Sequence, residues 1–459
     1  VDSPMRLCFE HGTLVLVEPP DIDLGFVPGL TWDPRVALWR APAHRYAEVL
    51  AALELGRVPC TDAVSANAAS PADWRSIELR PYQEEASLAW ELAGRSGIVV
   101  LPTGAGKTRV ALANLARLRL RALCLVPTRA LLHQWRREVE RFYTGRVGCL
   151  GDGERQLEPI TVATFESALR HMPRIGNWFD VLVIDEVHHF GNGLKDEALE
   201  MSTAMYRLGL TATPPHERAL NRLDSLIGPV VCQVGVNELT GSWLSEFDLV
   251  LLRLTLNPSE RARYQQDYGK FLEAHRDFRK LHPGGTWQEF AAAAGTSREG
   301  RAALLAWQRA RRLLAYTEAK ADAVGKLLAR HRGARVLVFT ANNETAYAIA
   351  RKHLVMPITC EIKRRERGWA LDAFRAGELK ALVSARVLNE GIDVPDADVA
   401  IIVGGTWGER EHVQRVGRLL RPVPGKRAIV YELVTLATAE AHHAFQRRRG
   451  FAAARAVSA

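Results

Sequence analysis

The amino-acid sequence predicts an α/β protein with two parallel-sheet domains, a small α+β module at its start and an inserted helical hairpin. Short continuous runs of Val, Ile and Leu, each followed by a helical stretch, begin at Gly97 and recur after residue 320. Runs without alternation are typical of strands that are buried on both faces of a parallel sheet. The chain has 459 residues, which at roughly 150 residues per domain indicates about three domains.

The first 75 residues form the predicted α+β module. Residues 6–17 alternate apolar and polar side chains around the dipeptide His11-Gly12, a pattern typical of a β-hairpin, and a helix follows near Tyr46–Leu55. Residues 64–73 are small, polar and interrupted by proline, which is the composition of a linker. We therefore place a domain boundary in this segment.

The two α/β domains are assigned to residues 76–240 and 317–459. Residues 241–257 are expected to be a connector, and residues 258–316 an Arg-rich helical hairpin broken by the turn residues 282–285. The predicted strands of the first domain have the sequences GIVVL, ALCLVP, ITVAT, VLVIDE and RLGLTAT. Those of the second domain are residues 336–340, 381–385, 399–404 and 428–433, with a helix at 364–374.

The charge of the chain is unevenly distributed. The net charge is +9, which permits a polyanionic partner without establishing one. Residues 1–75 hold six basic and ten acidic side chains, a net charge of −4, whereas residues 258–316 hold eleven basic and six acidic ones, a net charge of +5. A polyanion should therefore contact the hairpin before the N-terminal module.

Composition also restricts the class of protein. The longest apolar runs fall far short of the roughly 20 residues that cross a bilayer, and no basic and apolar leader opens the sequence. The six cysteines are scattered without a CxxC pair, which disfavours zinc ribbons and iron–sulfur clusters. We expect a cytoplasmic protein with reduced thiols.

A phosphate-binding loop follows the first apolar strand. The segment Leu101–Thr108, LPTGAGKT, lies between a strand and a helix, as such a loop requires. Its glycines allow backbone N–H groups to approach phosphates, Lys107 can reach the β and γ groups, and Thr108 can ligate Mg²⁺. The loop residues assigned to nucleotide binding are Thr103, Gly104, Ala105, Gly106, Lys107 and Thr108.

Two adjacent carboxylates end the strand VLVIDE. Asp185 suits Mg²⁺ binding and Glu186 suits the role of base for an attacking water. His188 and His189 have no HExxH spacing, and adjacent residues of one strand point apart, so we do not assign them to a metal.

Seven motifs follow one another along the chain: LRPYQ (79–83), PTGAGKT, VPTR (126–129), DEVH (185–188), LTAT (210–213), NEGIDVP (389–395) and QRVGRLLR (414–421). Their order resembles that of superfamily 2 helicases. DEVHH, the EGIDVP motif and the basic hairpin narrow the resemblance to the XPB-like helicases in their compact archaeal and bacterial form. The damage-recognition-like first module of that form also begins with a strand that carries Gly-Thr, as Gly12-Thr13 does here. The resemblance implies two RecA-like P-loop NTPase domains and a thumb-like insertion.

The resemblance assigns further residues to the ATP site. It implies that Gln83 reads the adenine edge with Arg80 beside it, and that His188 links the nucleotide to the DNA track through the LTAT threonines. Two arginines from a second domain would stabilise charge on the transferring phosphoryl group. The C-terminal residues implied in nucleotide binding and hydrolysis are Gly391, Asp393, Gln414, Arg415 and Arg418.

The resemblance also implies a DNA track opposite the nucleotide. Hydroxyl groups and backbone amides that hold phosphates carry no sequence information, so binding should be sequence-independent and sensitive to salt. The implied contacts are Thr128, Arg129, Thr164, Thr340, Asn342, Ser384 and Arg386.

One segment departs from the family pattern. Relatives carry an Arg-Glu-Asp element associated with strand separation after the LTAT motif, whereas this chain has residues 214–218, PPHER, in which only Glu217 corresponds. We therefore expect weak unwinding with ATP-driven translocation retained.

The expected function is an ATP- and Mg²⁺-dependent DNA helicase or translocase, moving 3′ to 5′ and opening or remodelling DNA in repair. Two alternatives stay open at this point. One is a duplex translocase that serves as a platform for a nuclease, in repair or in defence against foreign DNA, and the other is an RNA helicase.

Overall fold

The computed structural model divides the chain into two compact units. The first contains Val1–Glu238, and the second contains Leu239–Glu390 and Val394–Ala459. The structure describes residues 5–17, 24–65, 71–193, 195–239, 246–385, 397–404, 427–441, 444 and 456–458.

The N-terminal module is a small sheet with one helix packed on it. Its elements are β1 (Arg6–Glu10), β2 (Thr13–Val17), β3 (Thr31–Asp33), β4 (Leu38–Pro42), α1 (Tyr46–Leu55) and β5 (Thr61–Asp62). The hairpin β1–β2 and the helix α1 have the predicted positions, and the strand order in the described residues is β3-β4-β2-β1-β5. Apolar side chains that alternate along the hairpin, Leu7, Leu14 and Leu16, are buried against Val49 and Leu53 of α1.

The first α/β domain is an eight-stranded sheet with helices. Continuous apolar runs such as residues 122–126 and 181–184 are buried at every position, which is why they form strands inside the sheet. The strands are β6 (Ser96–Val100), β7 (Ala122–Val126), β8 (Val147–Gly151), β9 (Glu154–Gln156), β10 (Ile160–Thr164), β11 (Val181–Asp185), β12 (Tyr206–Thr211) and β13 (Val230–Gln233). The helices are α2 (Pro81–Leu92), α3 (Lys107–Leu118), α4 (Arg129–Phe142), α5 (Phe165–Ile175), α6 (Glu197–Glu200), α7 (Glu217–Leu226) and α8 (Val236–Leu239).

The order of this sheet is β13-β6-β12-β11-β7-β10-β8-β9, and its neighbours are parallel except for β8 and β9. The strands β6, β11 and β12, whose carboxyl ends carry the phosphate loop, the DEVH motif and the LTAT motif, are neighbours in the order β6-β12-β11. Parallel strands end at one edge, so the topology brings these three motifs together.

The second unit has a parallel sheet. Its strands are β14 (Glu246–Leu254), β15 (Val336–Thr340), β16 (Met356–Ile358), β17 (Ala381–Ala385), β18 (Val399–Ile402), β19 (Arg427–Thr435) and β20 (Ala456–Ser458). Among the described residues, their order is β16-β17-β15-β18-β19-β14-β20. The helices are α9 (Pro258–Leu281), α10 (Trp287–Thr296), α11 (Arg298–Ala315), α12 (Glu318–Arg330), α13 (Asn343–His353) and α14 (Arg364–Ala376). The predicted α/β fold class is confirmed.

Within the expected connector 241–257, residues 246–254 form a strand of the second sheet, and residues 241–245 lie outside the described residues. Strand β14 pairs in parallel with β19 along its whole length, from Glu246 opposite Arg427 to Leu254 opposite Thr435. The run Leu249–Leu252 is continuously apolar, as in the other buried strands of the sheet. The helical insertion therefore interrupts the second α/β domain after its first strand.

The insertion has three helices where the sequence suggested a hairpin. Thr286 and Glu289 form a reciprocal cap that starts α10, and the Ser297 hydroxyl accepts the Gly300 N–H to start α11, so the chain begins a helix twice after the predicted turn. Phe271 of α9 and Phe290 of α10 are buried together at the centre of the insertion.

The N-terminal module is held against the first α/β domain. The Asn177 Nδ2 donates to the Val64 carbonyl at 2.7 Å, and Arg121 Nη2 donates to the Ser65 hydroxyl at 3.3 Å. A Cβ on Gly12, at the hairpin turn, would lie 2.4 Å from the Cγ of Met201. Residues 121, 177 and 201 precede β7, β11 and β12, so the module lies at the amino edge of the sheet. That edge is opposite the phosphate loop.

Candidate functional site

The phosphate loop has the backbone that its glycines predict. Gly104 has φ +86° and Gly106 has φ +78°, a region that favours glycine, and Lys107 begins α3 immediately afterwards. A Cβ on Gly106 would lie 2.5 Å from Gln83 Nε2, so both backbone and space require glycine here. The Lys107 ammonium donates to the Leu101 carbonyl at 3.3 Å. Thr103, Lys107 and Thr108 are half-buried, as a phosphate cradle needs.

Gln83 and Tyr82, at the start of α2, support the loop from behind. Both Gln83 Nε2 and the Tyr82 hydroxyl donate to the Ala105 carbonyl, at 2.7 and 2.9 Å. The other end of the amide, Gln83 Oε1, accepts the Arg80 N–H at 2.9 Å. Because Gln83 is only 2% exposed, its placement ties the conformation of the loop to α2. Its implied contact with adenine stays a prediction.

The Asp185 carboxylate is buried at the end of β11 with two fixed donors. The Trp135 indole Nε1 donates to Oδ2 at 2.8 Å, and the Glu186 N–H donates to Oδ1 at 3.0 Å. Burial raises the pKa of Asp185, while the nearby Lys107 charge and these hydrogen bonds act in the opposite direction. A carboxylate in this setting gains from a bound cation, so it fits Mg²⁺.

The DEVH and LTAT motifs are joined by a chain of hydrogen bonds. The His188 Nδ1 lies 3.0 Å from the Thr211 hydroxyl, which donates to the Thr213 carbonyl at 2.9 Å. Because the hydroxyl has one proton and gives it to Thr213, we assign the Nδ1 proton to His188. The same Nδ1 is 3.4 Å from Glu186 Oε2. His188 and Thr211 are therefore in direct contact, and their implied role in linking the nucleotide to DNA stays a prediction.

His188 and His189 do not point apart as an extended strand would predict. They follow Glu186, which has φ +52°, in a 3-10 turn at Val187–His189, and their rings stack with centroids 4.5 Å apart. The strand ends at Asp185, so its alternation no longer applies. Among the residues that the structure describes, no three His, Cys, Asp or Glu side chains are grouped closely enough to bind a metal by themselves.

Three of the residues implied in DNA binding are helix N-caps. In the first unit, the Thr128 hydroxyl accepts the Leu131 N–H at the start of α4, and the Thr164 hydroxyl accepts the Ser167 N–H at the start of α5. These helices follow the adjacent strands β7 and β10, so their N-termini lie side by side at the carboxyl edge of the sheet. Helix N-termini attract phosphates through free N–H groups and the helix dipole.

In the second unit, the implied DNA contacts also cluster at one sheet edge. Asn342 caps α13 by accepting the Thr345 N–H at 2.8 Å. Thr340 and Ser384, at the ends of β15 and β17, are 0% and 2% exposed. The Thr340 hydroxyl lies 3.0 Å from the Asn342 carbonyl and 3.3 Å from that of Ser384. These two side chains are therefore buried in this conformation, and their implied contact with a phosphate stays a prediction.

Arg129 is exposed and paired within the first unit. Its Nη1 lies 3.5 Å from Asp152 Oδ1, and the His133 Nε2 lies 2.8 Å from Oδ2 of the same carboxylate. An exposed pair of this kind is weak, so a phosphate can compete for Arg129. The residues implied in DNA binding, nucleotide binding and hydrolysis that lie outside the described part of the chain are Arg386, Gly391, Asp393, Gln414, Arg415 and Arg418.

Three family matches cover most of the chain. Residues 7–64 match the Xeroderma pigmentosum group B helicase damage recognition domain, residues 76–216 the type III restriction enzyme res subunit, and residues 319–423 the helicase conserved C-terminal domain. The "DNA 3'-5' translocase XPB2" of Sulfurisphaera tokodaii is 34% identical over 92% of this chain and 96% of its own length. The chain belongs to the XPB helicase family.

Other XPB-family relatives are longer than this chain. The "DNA 3'-5' helicase XPB" of Mycobacterium tuberculosis is 30% identical over 81% of this chain, and the match spans 63% of that relative. The "Putative DNA 3'-5' helicase Rad25" of Halobacterium salinarum is 31% identical over 81% of this chain and 57% of the relative. This XPB-family chain therefore spans somewhat under two thirds of their length.

Solved structures agree on the fold. The Pyrococcus furiosus Hef helicase domain superposes with a TM-score of 0.52 at 19% identity, covering 81% of this chain and 98% of that one. The S. cerevisiae Dbp5 structure bound to RNA and ADP BeF3 gives a TM-score of 0.57 at 16% identity, covering 83% and 89%. At these identities the likeness shows that the XPB-family chain has the helicase fold.

The sequence reasoning missed Trp135 and Asp152. Trp135 lies 50 positions before Asp185, and nothing in the local pattern of α4 distinguishes it from an ordinary core residue. Its spacing is the signal that could have placed it near the site. Trp135 lies seven residues after Thr128, or about two helical turns, on the face of α4 that is buried on the sheet. Asp152 lies in the loop between β8 and β9, where an acidic turn residue carries no functional signal.

Proposed function

We propose that this protein is a DNA-stimulated ATPase that moves 3′ to 5′ along DNA and remodels it during repair. The observation that carries the proposal is the set of contacts at the carboxyl edge of the first sheet. There the phosphate loop, the buried Asp185 and the bonded His188 and Thr211 occupy neighbouring strands in an XPB-family chain. The direction and the substrate are those that the names of its relatives give.

Each residue of this set has a chemical role in the proposal. Lys107 and the loop N–H groups hold the phosphates, Asp185 and Thr108 hold Mg²⁺, and Glu186 accepts a proton from the attacking water. When bound, Mg²⁺ neutralises charge on the phosphates. Arg415 and Arg418 are assigned the stabilisation of charge that develops on the transferring phosphoryl group.

The His188 and Thr211 contact gives the proposal its coupling element. His188 contacts Glu186 on one side and the LTAT loop on the other, so a change at the nucleotide reaches Thr213 through two hydrogen bonds. Residues 214–218 follow directly, and Glu217 is exposed at the start of α7. We assign ATP-driven translocation to this arrangement, with little strand separation.

The first test is ATP hydrolysis by the purified protein with and without DNA. Lys107→Ala should lower the rate at least about 100-fold, since one preorganised charge at a phosphate is worth that much. Lys326→Ala removes an exposed lysine from α12 and should leave the rate unchanged. A Lys107→Ala rate equal to that of the wild type, or no stimulation by DNA, would contradict the proposal.

A second test separates translocation from unwinding and DNA from RNA. The proposal expects a triplex-forming strand to be displaced from duplex DNA, with a forked duplex opened slowly or not at all, and stronger stimulation by DNA than by matched RNA. Equal stimulation by RNA would favour the RNA helicase. The nuclease-platform alternative has no support in the matched families or in the names of the relatives.

The proposal places the protein with DNA, in the cytoplasm or nucleoid. Among the described residues, no helix combines the length and apolarity that a bilayer crossing demands.

A further inference from the structure

The Asp185 carboxylate, at the end of strand β11, is oriented by a side chain from helix α4. Trp135 of α4 is 1% exposed, and its indole N–H donates to Asp185 Oδ2 at 2.8 Å. The Glu186 N–H occupies Oδ1. One donor on each oxygen fixes the plane of the carboxylate, while the remaining lone pairs stay available to a cation.

An indole is well suited to this position. It only donates, so it cannot itself compete for a cation, and it carries no charge that would repel one. It is also rigid, because Leu132, Trp135 and Val139 are buried together along one face of α4. A donor that orients a metal-binding carboxylate in this way acts on the metal through its ligand.

The same helix begins at the proposed DNA-facing edge. Thr128 caps α4, and Trp135 follows seven residues later, which corresponds to a rise of about 10 Å along the helix. The exposed Arg129 lies in the first turn. A displacement of the start of α4 therefore moves the indole relative to Asp185, because a short packed helix moves as a unit.

We propose that Trp135 is a positioning residue that holds Asp185 for Mg²⁺ and makes Mg²⁺-dependent nucleotide binding respond to DNA through α4. This inference rests on the proposed function, in which Asp185 binds Mg²⁺ and the start of α4 faces DNA. By reciprocity, DNA that shifts α4 changes the Mg²⁺-dependent affinity for nucleotide, and the nucleotide changes the affinity for DNA equally.

The test measures binding of a fluorescent ADP analogue to the full chain, with Mg²⁺ and in EDTA. Mg²⁺ should raise the affinity of the wild type for the nucleotide, and this gain should be about tenfold smaller in Trp135→Phe. Tenfold is the lower end of the loss in metal affinity that follows removal of a group that orients a metal ligand. The affinity in EDTA should stay the same. Duplex DNA should change the Mg²⁺-dependent affinity of the wild type and have little effect on that of the variant.

Trp90→Phe is the matched control. Trp90 is also 1% exposed in the first unit, and its indole N–H donates to a backbone carbonyl, that of Arg207, at 2.9 Å. Its loss should cost a similar amount of thermal stability and leave the Mg²⁺-dependent gain intact. An equal loss of that gain in both variants would show a general effect of destabilisation and overturn the proposal.

Trp135→His tests the donor separately from the shape, because imidazole retains a ring N–H. We expect most of the Mg²⁺-dependent gain to survive in this variant, which also replaces Trp135→Phe as the test if the latter does not fold. A loss of the gain in Trp135→His, or its survival in folded Trp135→Phe, overturns the inference. A wild type without Mg²⁺-dependent nucleotide binding or stimulation by DNA would instead contradict the proposed function.

Discussion

Single side chains stabilise this protein in ways that their type alone does not suggest. Arg207, at the start of β12, is 5% exposed, and its guanidinium donates to four backbone carbonyls. Burial lowers the pKa of Arg207 to about 10, yet the guanidinium fork keeps its charge and places donors on several chain segments at once. The acceptors are the carbonyls of Ala204, Leu199, Leu226 and Ser202.

Replacing this side chain should destabilise the first unit. Arg207→Met keeps the length of the stem and leaves four buried carbonyls without this donor, and each unmade hydrogen bond of that kind costs roughly 1–3 kcal/mol. Because some of these carbonyls will turn toward water and be hydrated, we expect a loss of about 3 kcal/mol in the free energy of unfolding. Urea denaturation followed by circular dichroism measures it. Arg155→Met, at an exposed arginine of β9, should have little effect.

At the scale of elements, the helical insertion is joined to the second sheet by buried polar contacts. Lys320 in α12 is 0% exposed and donates to the Leu314 carbonyl of α11 and to Glu440 Oε1, both at 2.7 Å. Glu440 Oε2 accepts the Thr435 N–H at the end of β19. In the second turn of α9, the Tyr264 hydroxyl accepts the Ala439 N–H at 3.0 Å. These contacts tie the insertion to the end of β19.

The Lys320 and Glu440 pair should show strong coupling. Lys320→Met leaves a mostly buried carboxylate without its cation, which costs about 3–5 kcal/mol in comparable pairs. Glu440→Gln keeps an acceptor for Thr435 and removes the charge, so the double variant should be more stable than Lys320→Met alone. A double-mutant cycle on the midpoints of urea denaturation measures the coupling. Additive effects would mean that the two charges do not depend on each other.

At the scale of the whole molecule, the helical insertion and the N-terminal module differ in the sign of their charge. The three-helix insertion carries a net charge of +5, and several of its arginines, among them Arg261, Arg276 and Arg298, are exposed. The N-terminal module carries −4 over residues 1–75 and lies at the amino edge of the first sheet, opposite the phosphate loop. Under the proposed function, in which DNA lies at the helix N-termini of the first unit, the module is therefore poorly placed to hold the phosphate backbone.

Replacing exposed arginines by glutamine should show which part of the chain binds DNA. Arg261→Gln, Arg276→Gln and Arg298→Gln together should weaken binding to duplex DNA about tenfold or more at low salt and reduce the salt dependence, because each lost phosphate contact lowers the slope by about 0.9. The matched triple in the N-terminal module, Arg6→Gln, Arg35→Gln and Arg57→Gln, makes the same change in charge. We expect it to have little effect. Fluorescence anisotropy across a salt series measures both effects. A larger effect of the module triple would show that DNA contacts the N-terminal module, and it would contradict the assignment to the insertion.

The local parts of the site were predictable from the sequence. The phosphate loop needs glycine where φ is positive and a strand before it, and residues 97–108 show both. The carboxylates that follow the apolar run of β11 were also predictable from the sequence, as was the hairpin at residues 6–17. Such features depend on a few adjacent residues whose backbone permits little else, so their identity can be read without knowledge of the fold.

Contacts between distant segments were decided by the tertiary structure. Residues 246–254 form a strand between β19 and β20 because β19 pairs with them along their whole length. Trp135 reaches Asp185 because α4 packs across the sheet from a start at Thr128. The buried state of Thr340 and Ser384 has the same origin. The sequence by itself determined the motifs, the order of the domains and the uneven charge. Which side chains meet was decided by packing, because burial rewards apolar area and satisfied polar groups wherever in the chain they come from.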